Sequence, residues 1–442
     1  MPTHKHHGFF ARFMADYGIV LALVLLCVYF SVVTYTEQKP VGAAGGAQLA
    51  AEVIRALPRE ARVLAVVRDS REDAAFAEAL STALTRSGRP APETVEGAPA
   101  DARRALERIA RDGGRLDAIA CTPATATWAV FDRLETRHPT LAGARVMAPQ
   151  GYQGSNFLKP DNLLNVANQI AVIAIVAIGM TLVIITGGID LSVGSLIALS
   201  AVVSTLLIQD YAGAERAGTL GMVAGCAAGI AVCGMIGLFS GTMVTLFRIP
   251  AFIVTLAMML VASGLAFTIA RGESVYQIPE SFVWLGRGAD LGIPRAVWLM
   301  LGLYLVAHFL MMRSRPGRYV YASGSNAEAA RLSGIPVGRT LVWVYTLSGL
   351  LAGLGGVVMA SQLKSGAPTY GQMYELYVIA AVVVGGTSLA GGEGRVFGTL
   401  IGAFIIAVIR NGMNLTGVGS YTQQIILGLV ILGAVMLDMV KR

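Results

Sequence analysis

Two glycines and an acid interrupt an apolar region of the sequence. Residues 185–195 read ITGGIDLSVGS, in which Gly187 and Gly188 precede Asp190. An ionisable side chain deep in a membrane costs about 2.5–3.5 kcal/mol on insertion scales, so such a residue is a candidate for a role in transport. In the alternative reading, the glycines end one helix and Asp190 caps the next at the membrane surface, assisted by Ser192. The sequence alone favours the cap.

A second motif predicts a short helix between two apolar runs. Residues 324–337 read GSNAEAARLSGIPV. Asn326 can cap a helix over Ala327–Ser333, which Gly334 closes and Pro336 prevents from continuing. A short helix in this position is a suitable contact for another protein. The alternative is an ordinary turn between two membrane spans.

A third motif is rich in glycine, serine and threonine within a region that is otherwise apolar enough to span a membrane. Residues 383–403 read VVGGTSLAGGEGRVFGTLIGA. Irregular backbone at membrane depth is tolerated only where it is buried in protein or lines a cavity.

The composition divides the chain into two materials. The 442 residues are 55% hydrophobic and 14% charged, with a mean hydropathy of +0.64. Soluble domains carry about 25% charged residues. Of the 61 charged residues, 32 lie between Thr36 and Pro160. The sequence therefore predicts a membrane protein that contains a soluble segment.

No dense basic run interleaved with aromatic residues is present, which argues against nucleic-acid binding. The four cysteines include no pair with metal-ligand spacing, so we expect no metal site.

Apolar runs of about 20 residues predict the membrane spans. The fold class we expect is an α-helical polytopic membrane protein with about ten transmembrane helices, and with a small extracytoplasmic α/β domain inserted between the first two. The expected spans are 18–35, 163–186, 191–208, 218–247, 251–270, 296–312, 340–360, 376–389, 396–409 and 422–440. Glycines recur four positions apart, as at Gly237 and Gly241 or Gly349 and Gly353, which predicts closely packed helices.

The distribution of Lys and Arg predicts the orientation. Five arginines lie in the short segment 313–339, which we therefore place in the cytoplasm. An even number of spans then places both termini in the cytoplasm and the soluble segment outside.

The soluble segment alternates between strand and helix. Strands are expected at 62–67, 93–96, 116–121 and 145–148, and helices at 48–57, 71–87, 100–111 and 124–136. This order indicates a small parallel sheet, whose carboxyl edge would present Arg68, Asp69, Thr122 and Pro123. The segment resembles one lobe of a periplasmic sugar-binding protein. A ligand-sensing role and a docking or spacer role are equally compatible with it.

Residues from about Ser155 to Val440 closely resemble the membrane-spanning permease subunit of bacterial ABC importers for ribose, xylose and related monosaccharides. The motifs that carry the resemblance are SNFLKPDNLLNV (155–166), GMTLVIITGGIDLSVGS (179–195), GSNAEAARLSGI (324–335), YELYVIAAVVVGGTSLAGGEGRVFGTLIGA (374–403) and RNGMNLTGV (410–418). The family joins its first two spans by a short loop, whereas this chain carries more than a hundred additional residues there. The expected domains are thus 1–38 (cytoplasmic N-terminus and first helix), 39–154 (inserted domain) and 155–442 (permease domain).

The resemblance implies partners and site residues. It implies a bacterial inner-membrane subunit that works with a second permease subunit, a phosphate-loop ATPase, a periplasmic sugar-binding protein and a monosaccharide. ATP and magnesium would be held by the ATPase, because this sequence lacks a phosphate-binding loop. The resemblance implies that this chain binds no cofactor and has no enzymatic activity of its own. The implied ATPase-coupling residues are Asn326, Glu328, Ala329, Ala330, Gly334 and Ile335. The candidate gating residues are Gly187, Gly188, Asp190, Ser192, Gly194, Gly385, Gly386, Thr387, Ser388, Gly391 and Gly392.

The sugar path is the least determined feature. Polar residues that could meet sugar hydroxyls are Asn168, Gln169, Asn411 and Asn414, although capping or interhelical hydrogen bonds explain them equally well. Two other functional classes compete with the importer. An ion-coupled transporter would need paired intramembrane ionisable groups, and Asp190 has no evident partner. A membrane-anchored receptor would not need ten spans.

Overall fold

The computed structural model describes residues 9–132 and 134–441, so residues 1–8 of the expected cytoplasmic N-terminus lie outside the described part. The chain forms two compact units. One comprises the chain up to Thr34 and from Asn156 onward, which we call the bundle. The other is Tyr35–Ser155, which we call the insert.

The bundle contains α1 and α6–α16, and the insert contains α2–α5. The helices are α1 (Phe9–Val33), α2 (Gly42–Ala56), α3 (Arg71–Arg86), α4 (Pro99–Arg111), α5 (Leu134–Arg137), α6 (Pro160–Ile185), α7 (Val193–Tyr211), α8 (Thr219–Leu246), α9 (Ala251–Ile269), α10 (Arg295–Arg313), α11 (Arg315–Ser325), α12 (Ala327–Leu332), α13 (Val337–Leu363), α14 (Tyr374–Val384), α15 (Val396–Leu415) and α16 (Ser420–Lys441). The strands are β1 (Tyr35–Gln38), β2 (Val63–Val67), β3 (Glu93–Glu96), β4 (Ala118–Cys121), β5 (Arg145–Met147), β6 (Tyr152–Ser155), β7 (Ala289–Asp290) and β8 (Ile293–Pro294).

The bundle has the composition of a polytopic membrane protein. Among the described residues, seven helices are long and apolar enough to span a membrane, and three shorter apolar helices accompany them. The expected span 376–389 is wrong at its end, because α14 stops at Val384. The glycines that follow form a turn, since Gly386 has a φ of +83° that favours glycine.

Helix α6 lies at the centre of the bundle. It is apolar on every side, and its residues from Ile170 to Ile185 are buried, as expected for a helix surrounded by other helices. Helices α8 and α13 pack against each other through the predicted glycines. A Cβ at Gly241 would lie 2.7 Å from the Cα of Val342, and one at Gly353 would lie 2.9 Å from the Cα of Ile230. Small residues thus allow the close approach of these helices, as the spacing predicts.

The insert is built on a four-stranded sheet of order β3-β2-β4-β5, and every neighbouring pair is parallel. Apolar residues of α2 and α3 pack on one face, and those of α4 pack on the other. The antiparallel pair β1 and β6 joins the two ends of the insert. The helix expected over 124–136 is wrong. This region forms two 3₁₀ turns and the short α5, because Trp128 adopts an extended conformation with ψ of 130°.

Candidate functional site

Asp190 lies in the turn between α6 and α7 and is 2% exposed. One carboxylate oxygen accepts hydrogen bonds from the backbone N–H of Ser192 at 3.0 Å and from its hydroxyl at 2.6 Å. The other accepts from the hydroxyl of Ser348, on α13, at 2.8 Å. Helix α7 begins at Val193 with Ser192 at its cap position. The Asp190 side chain therefore stabilises the turn before α7 and connects this turn to α13 through a hydrogen bond.

Two further contacts hold the same turn. The hydroxyl of Thr255, on α9, donates to the carbonyl of Ile189 at 3.1 Å. The hydroxyl of Tyr345, on α13, occupies the space where Gly188 would carry a Cβ. That hydroxyl is buried and has no hydrogen-bond partner within the described residues. An orphaned buried hydroxyl is uncommon in a folded protein.

Three distant parts of the chain meet at the end of α6. The backbone N–H of Gly392 donates to the carbonyl of Ile185 at 2.8 Å. A Cβ at Gly391 would lie 3.0 Å from the carbonyl oxygen of Gly324 and 3.1 Å from the backbone nitrogen of Gly187. A Cβ at Gly324 would overlap the carbonyl oxygen of Ile185. The three motifs identified from the sequence thus contact one another through backbone atoms. We call Ile185, Gly187, Gly324, Gly391 and Gly392 the glycine junction.

The third motif forms the loop between α14 and α15. Gly385 packs against α15, since its Cβ would lie 2.7 Å from the Cα of Thr399. The backbone N–H groups of Ser388 and Gly391 donate within the loop, to Glu393 and Ser388 respectively. The hydroxyl of Thr387 is buried without a hydrogen-bond partner. The predicted residues of this motif are therefore brought together in one compact loop.

Helix α12 is the predicted short helix. The side-chain oxygen of Asn326 accepts from the backbone N–H groups of Glu328 and Ala329 at 3.1 and 2.9 Å. Gly334 has a φ of +80°, and the N–H of Ile335 donates to the carbonyl of Ala330 at 3.0 Å. Both ends of the helix are therefore fixed by local hydrogen bonds.

Helix α12 buries one side and presents the other. Ala330 is 4% exposed, whereas Leu332 is 83% exposed. The charged heads of Glu328 and Arg331 form an exposed ion pair with N···O of 3.2 Å. The outer side of the helix offers a mixed apolar and charged surface.

The glycine junction is covalently adjacent to α12. Gly324 belongs to the junction, and Asn326, two residues later, caps α12. The hydroxyl of Tyr321, on α11, donates to the carbonyl of Gly394 at 2.8 Å. The segment that leads into α12 therefore contacts the end of α6 and the α14–α15 loop.

The amides proposed for the sugar path mostly have partners within the bundle. Asn411 and Asn162 exchange two hydrogen bonds of 2.8 and 3.0 Å. Asn168 donates to the carbonyl of Gly286 at 3.2 Å, and Asn414 accepts from Gln423 at 2.8 Å. Gln169 is exposed. These contacts account for three of the four amides.

The carboxyl edge of the insert sheet is also internally paired. Asp73 is 2% exposed and accepts two hydrogen bonds from the Arg68 guanidinium, at 3.0 and 3.1 Å. Burial opposes ionisation, but the bonds from the Arg68 side chain and backbone and from Ser70 outweigh it and hold the pKa of Asp73 below its usual value. Thr122 bonds with Thr125. Arg68 and Asp73 neutralise each other, whereas Asp69, also expected at this edge, is exposed.

Sequence reasoning missed one acid in the bundle. Glu375 is half-buried in the first turn of α14, and its carboxylate occupies the space beside Gly194 at the start of α7. The signal was present, because an acid within the apolar run YELYVIAAVVV is costly in a membrane for the same reason as Asp190.

Comparison with known proteins gives consistent matches for the bundle. Residues 162–437 match a family model described as the permease component of the branched-chain amino acid transport system. The chain is 46% identical to the ribose import permease protein RbsC of Escherichia coli over 291 residues, 65% of this chain and 88% of that protein. It is 44% identical to RbsC of Bacillus subtilis over 65% of this chain and 87% of that protein. It is 35% identical to the L-arabinose ABC transporter permease protein AraH of Azospirillum brasilense over 73% of this chain and 93% of that protein. No solved structure matches the chain.

Proposed function

The chain belongs to the family of permease components of branched-chain amino acid transport systems, and we propose that within it this chain is the membrane-spanning subunit of an ABC importer for a monosaccharide. The observation that carries the proposal is the 46% identity to a ribose import permease along 88% of that protein's length. The relatives named for arabinose point to the same class of substrate. We propose a sugar of the ribose or xylose type.

We propose that α12 is the contact for a separate phosphate-loop ATPase. The support is its exposed outer side with Glu328, Arg331 and Leu332, and its rigid attachment through the Asn326 cap. ATP and magnesium belong to that partner. Because the sequence has no phosphate-binding loop, this chain contributes the path and not the hydrolysis.

The glycine junction provides a route for coupling. When the ATPase moves α12, Gly324 pushes on the carbonyl of Ile185 without an intervening side chain. Closely packed backbone segments pass a small displacement from one to the next, because a densely packed contact is shifted as a whole and is not compressed. Asp190 then links the end of α6 to α13 through Ser348. We propose that these residues shift their positions when two permease copies switch between inward-facing and outward-facing arrangements.

We propose an inner-membrane orientation in which α12 lies in the cytoplasm and the insert outside. The five arginines of residues 313–339 support it. For the insert, we propose a spacer or docking role. The Arg68–Asp73 pair supports this role, because two of the charged groups at the usual ligand edge of the sheet are bound to each other.

Co-purification tests the coupling assignment. The wild-type chain, co-expressed with the importer's ATPase subunit, should retain that ATPase on an affinity column. Glu328→Arg reverses the charge on the exposed side of α12, and Gly334→Trp places a large side chain where φ is +80°. Both should abolish retention. Glu215→Arg, in a turn between α7 and α8, is the matched surface control and should retain the ATPase. Full retention in both α12 variants would overturn the assignment.

A further inference from the structure

A non-helical segment runs along α7 inside the bundle. Helix α13 ends at Leu363 and α14 begins at Tyr374. A Cβ at Gly366 would lie 2.6 Å from the carbonyl oxygen of Ala201, near the middle of α7. A Cβ at Gly371 would lie 2.9 Å from the Cβ of Ile197, near the start of α7. The segment between the two glycines therefore passes beside α7 as a series of turns, one of them closed by a hydrogen bond from the backbone N–H of Tyr370 to the carbonyl of Ala367.

This segment lies at membrane depth. Helix α7 is one of the seven apolar helices of spanning length. Ser200, near the middle of α7, packs against the second half of α13, where a Cβ at Gly356 would lie 2.8 Å from the Ser200 Cβ. Non-helical backbone at such depth is tolerated only where it is buried in protein or lines a water-filled cavity. Here one side of the segment is buried, at Ala367 and Pro368.

Three polar residues at three-residue spacing, which we call the row, lie in this segment and in the first turn of α14. Thr369 and Gln372 are exposed, and Glu375, three residues further on, is half-buried. Within the described residues, none of these three side chains forms a hydrogen bond or ion pair with another side chain. The half-buried Glu375 carboxylate, which lies beside Gly194, would cost about 2.5–3.5 kcal/mol on insertion scales if its open side met lipid. The row therefore requires water or a polar ligand on its open side.

Building on the proposed function, we infer that Thr369, Gln372 and Glu375 line the translocation path and bind the hydroxyl groups of the passing sugar. A monosaccharide presents hydroxyls that both donate and accept. The Glu375 carboxylate accepts hydrogen bonds, while the Gln372 amide and the Thr369 hydroxyl can both donate and accept them. The row can therefore bond to a sugar hydroxyl that acts either as donor or as acceptor. Met373 and Leu376, 43% and 42% exposed, provide apolar contact beside the row for the C–H faces of the sugar.

Water access to the row is testable without transport. In a chain whose four native cysteines are replaced by serine, Gln372→Cys should react with a membrane-impermeant methanethiosulfonate at least ten times faster than Leu260→Cys. Leu260 is 67% exposed on α9 and is the matched control for a position that faces lipid. Equal rates would overturn the inference. The inference would also be overturned if Gln372→Cys were not labelled and instead formed an oxidative cross-link between two copies of the chain. In that case the row would be a contact between subunits.

Sugar contact is tested by uptake of D-ribose into vesicles that contain the complete importer. Glu375→Leu should lower the initial rate at saturating sugar about tenfold, and Glu375→Gln, which keeps hydrogen-bonding groups, should restore most of it. An unchanged uptake rate in Glu375→Leu would overturn the inference. If the wild-type importer carries neither D-ribose nor D-xylose, the proposed function fails instead, whereas the labelling result still reports whether the row meets water.

Discussion

The backbone N–H of Gly392 donates a hydrogen bond to the carbonyl oxygen of Ile185, 2.8 Å away, although the two residues are separated by most of the bundle sequence. The bond joins the end of α6 to the loop before α15. Gly324, two residues before the cap of α12, lies against the same carbonyl. This arrangement connects the proposed ATPase contact to the centre of the bundle, and it leads to specific expectations.

Gly324→Ala should uncouple the importer. The added Cβ would overlap the Ile185 carbonyl oxygen and lie 2.8 Å from the backbone nitrogen of Gly392, so the junction must open. Overpacking of this kind costs about 1–3 kcal/mol. We expect ATP-driven uptake to fall at least tenfold while the chain remains inserted. Gly338→Ala, with its nearest neighbour at 4.0 Å, is the control and should transport normally. Normal uptake in both variants would contradict the coupling route.

Asp190 and Ser348 should behave as one energetic unit. Asp190→Ala leaves the Ser348 hydroxyl buried without its acceptor, and Ser348→Ala removes one donor from a buried carboxylate. Each change should lower the unfolding midpoint in detergent, by an amount equivalent to about 1–3 kcal/mol. The double variant should lose clearly less than the sum of the two single changes. Strict additivity would show that the pair does not interact.

Removing the Tyr345 hydroxyl should not destabilise the protein. That hydroxyl is buried without a partner, so Tyr345→Phe relieves a desolvation penalty of about 1 kcal/mol or more. Tyr304→Phe is the control, because the equally buried Tyr304 hydroxyl donates to the carbonyl of Ala174 at 2.9 Å. In thermal unfolding, Tyr345→Phe should match or exceed wild type and Tyr304→Phe should fall below it. The reverse order would contradict the assigned contacts.

The insert can be replaced by a hairpin. In the β1–β6 pair Gln38 lies opposite Tyr152, so residues 39–151 can be exchanged for Asn-Gly, the preferred two-residue turn. If the insert is a spacer or an accessory docking element, the shortened chain should still enter the membrane and take up sugar within about twofold of wild type. A deletion that also removes β1 and β6 serves as the control for the hairpin. Complete loss of uptake in an inserted, shortened chain would assign the insert an essential role.

Local features of this molecule were readable from sequence. The helix α12 follows from an Asn cap, a closing Gly and a Pro, all within eleven residues of one another. The α8–α13 contact follows from glycines four apart, because the same spacing places them on one face of each helix.

Features that depend on distant contacts were not readable. The convergence of residues 185, 324 and 392 has no local signal, since each is only a glycine or an apolar residue in its own motif. The region 124–136 has helical composition, but the Thr125 hydroxyl donates to the carbonyl of Val66 at 2.8 Å and holds the chain in a tight turn. The segment between α13 and α14 lies outside the expected spans, as predicted, but its contact with α7 at Gly194 and Ile197 has no local signal because these residues are far apart in the chain.

The most direct measurement is uptake of radiolabelled D-ribose into vesicles that contain this chain, its ATPase and the sugar-binding protein. We predict accumulation that requires ATP inside the compartment corresponding to the cytoplasm and that is lost with Glu328→Arg. The binding protein must be supplied on the opposite side. Accumulation that is independent of ATP, or that is driven by an ion gradient alone, would contradict the assignment of the chain as an ABC importer permease.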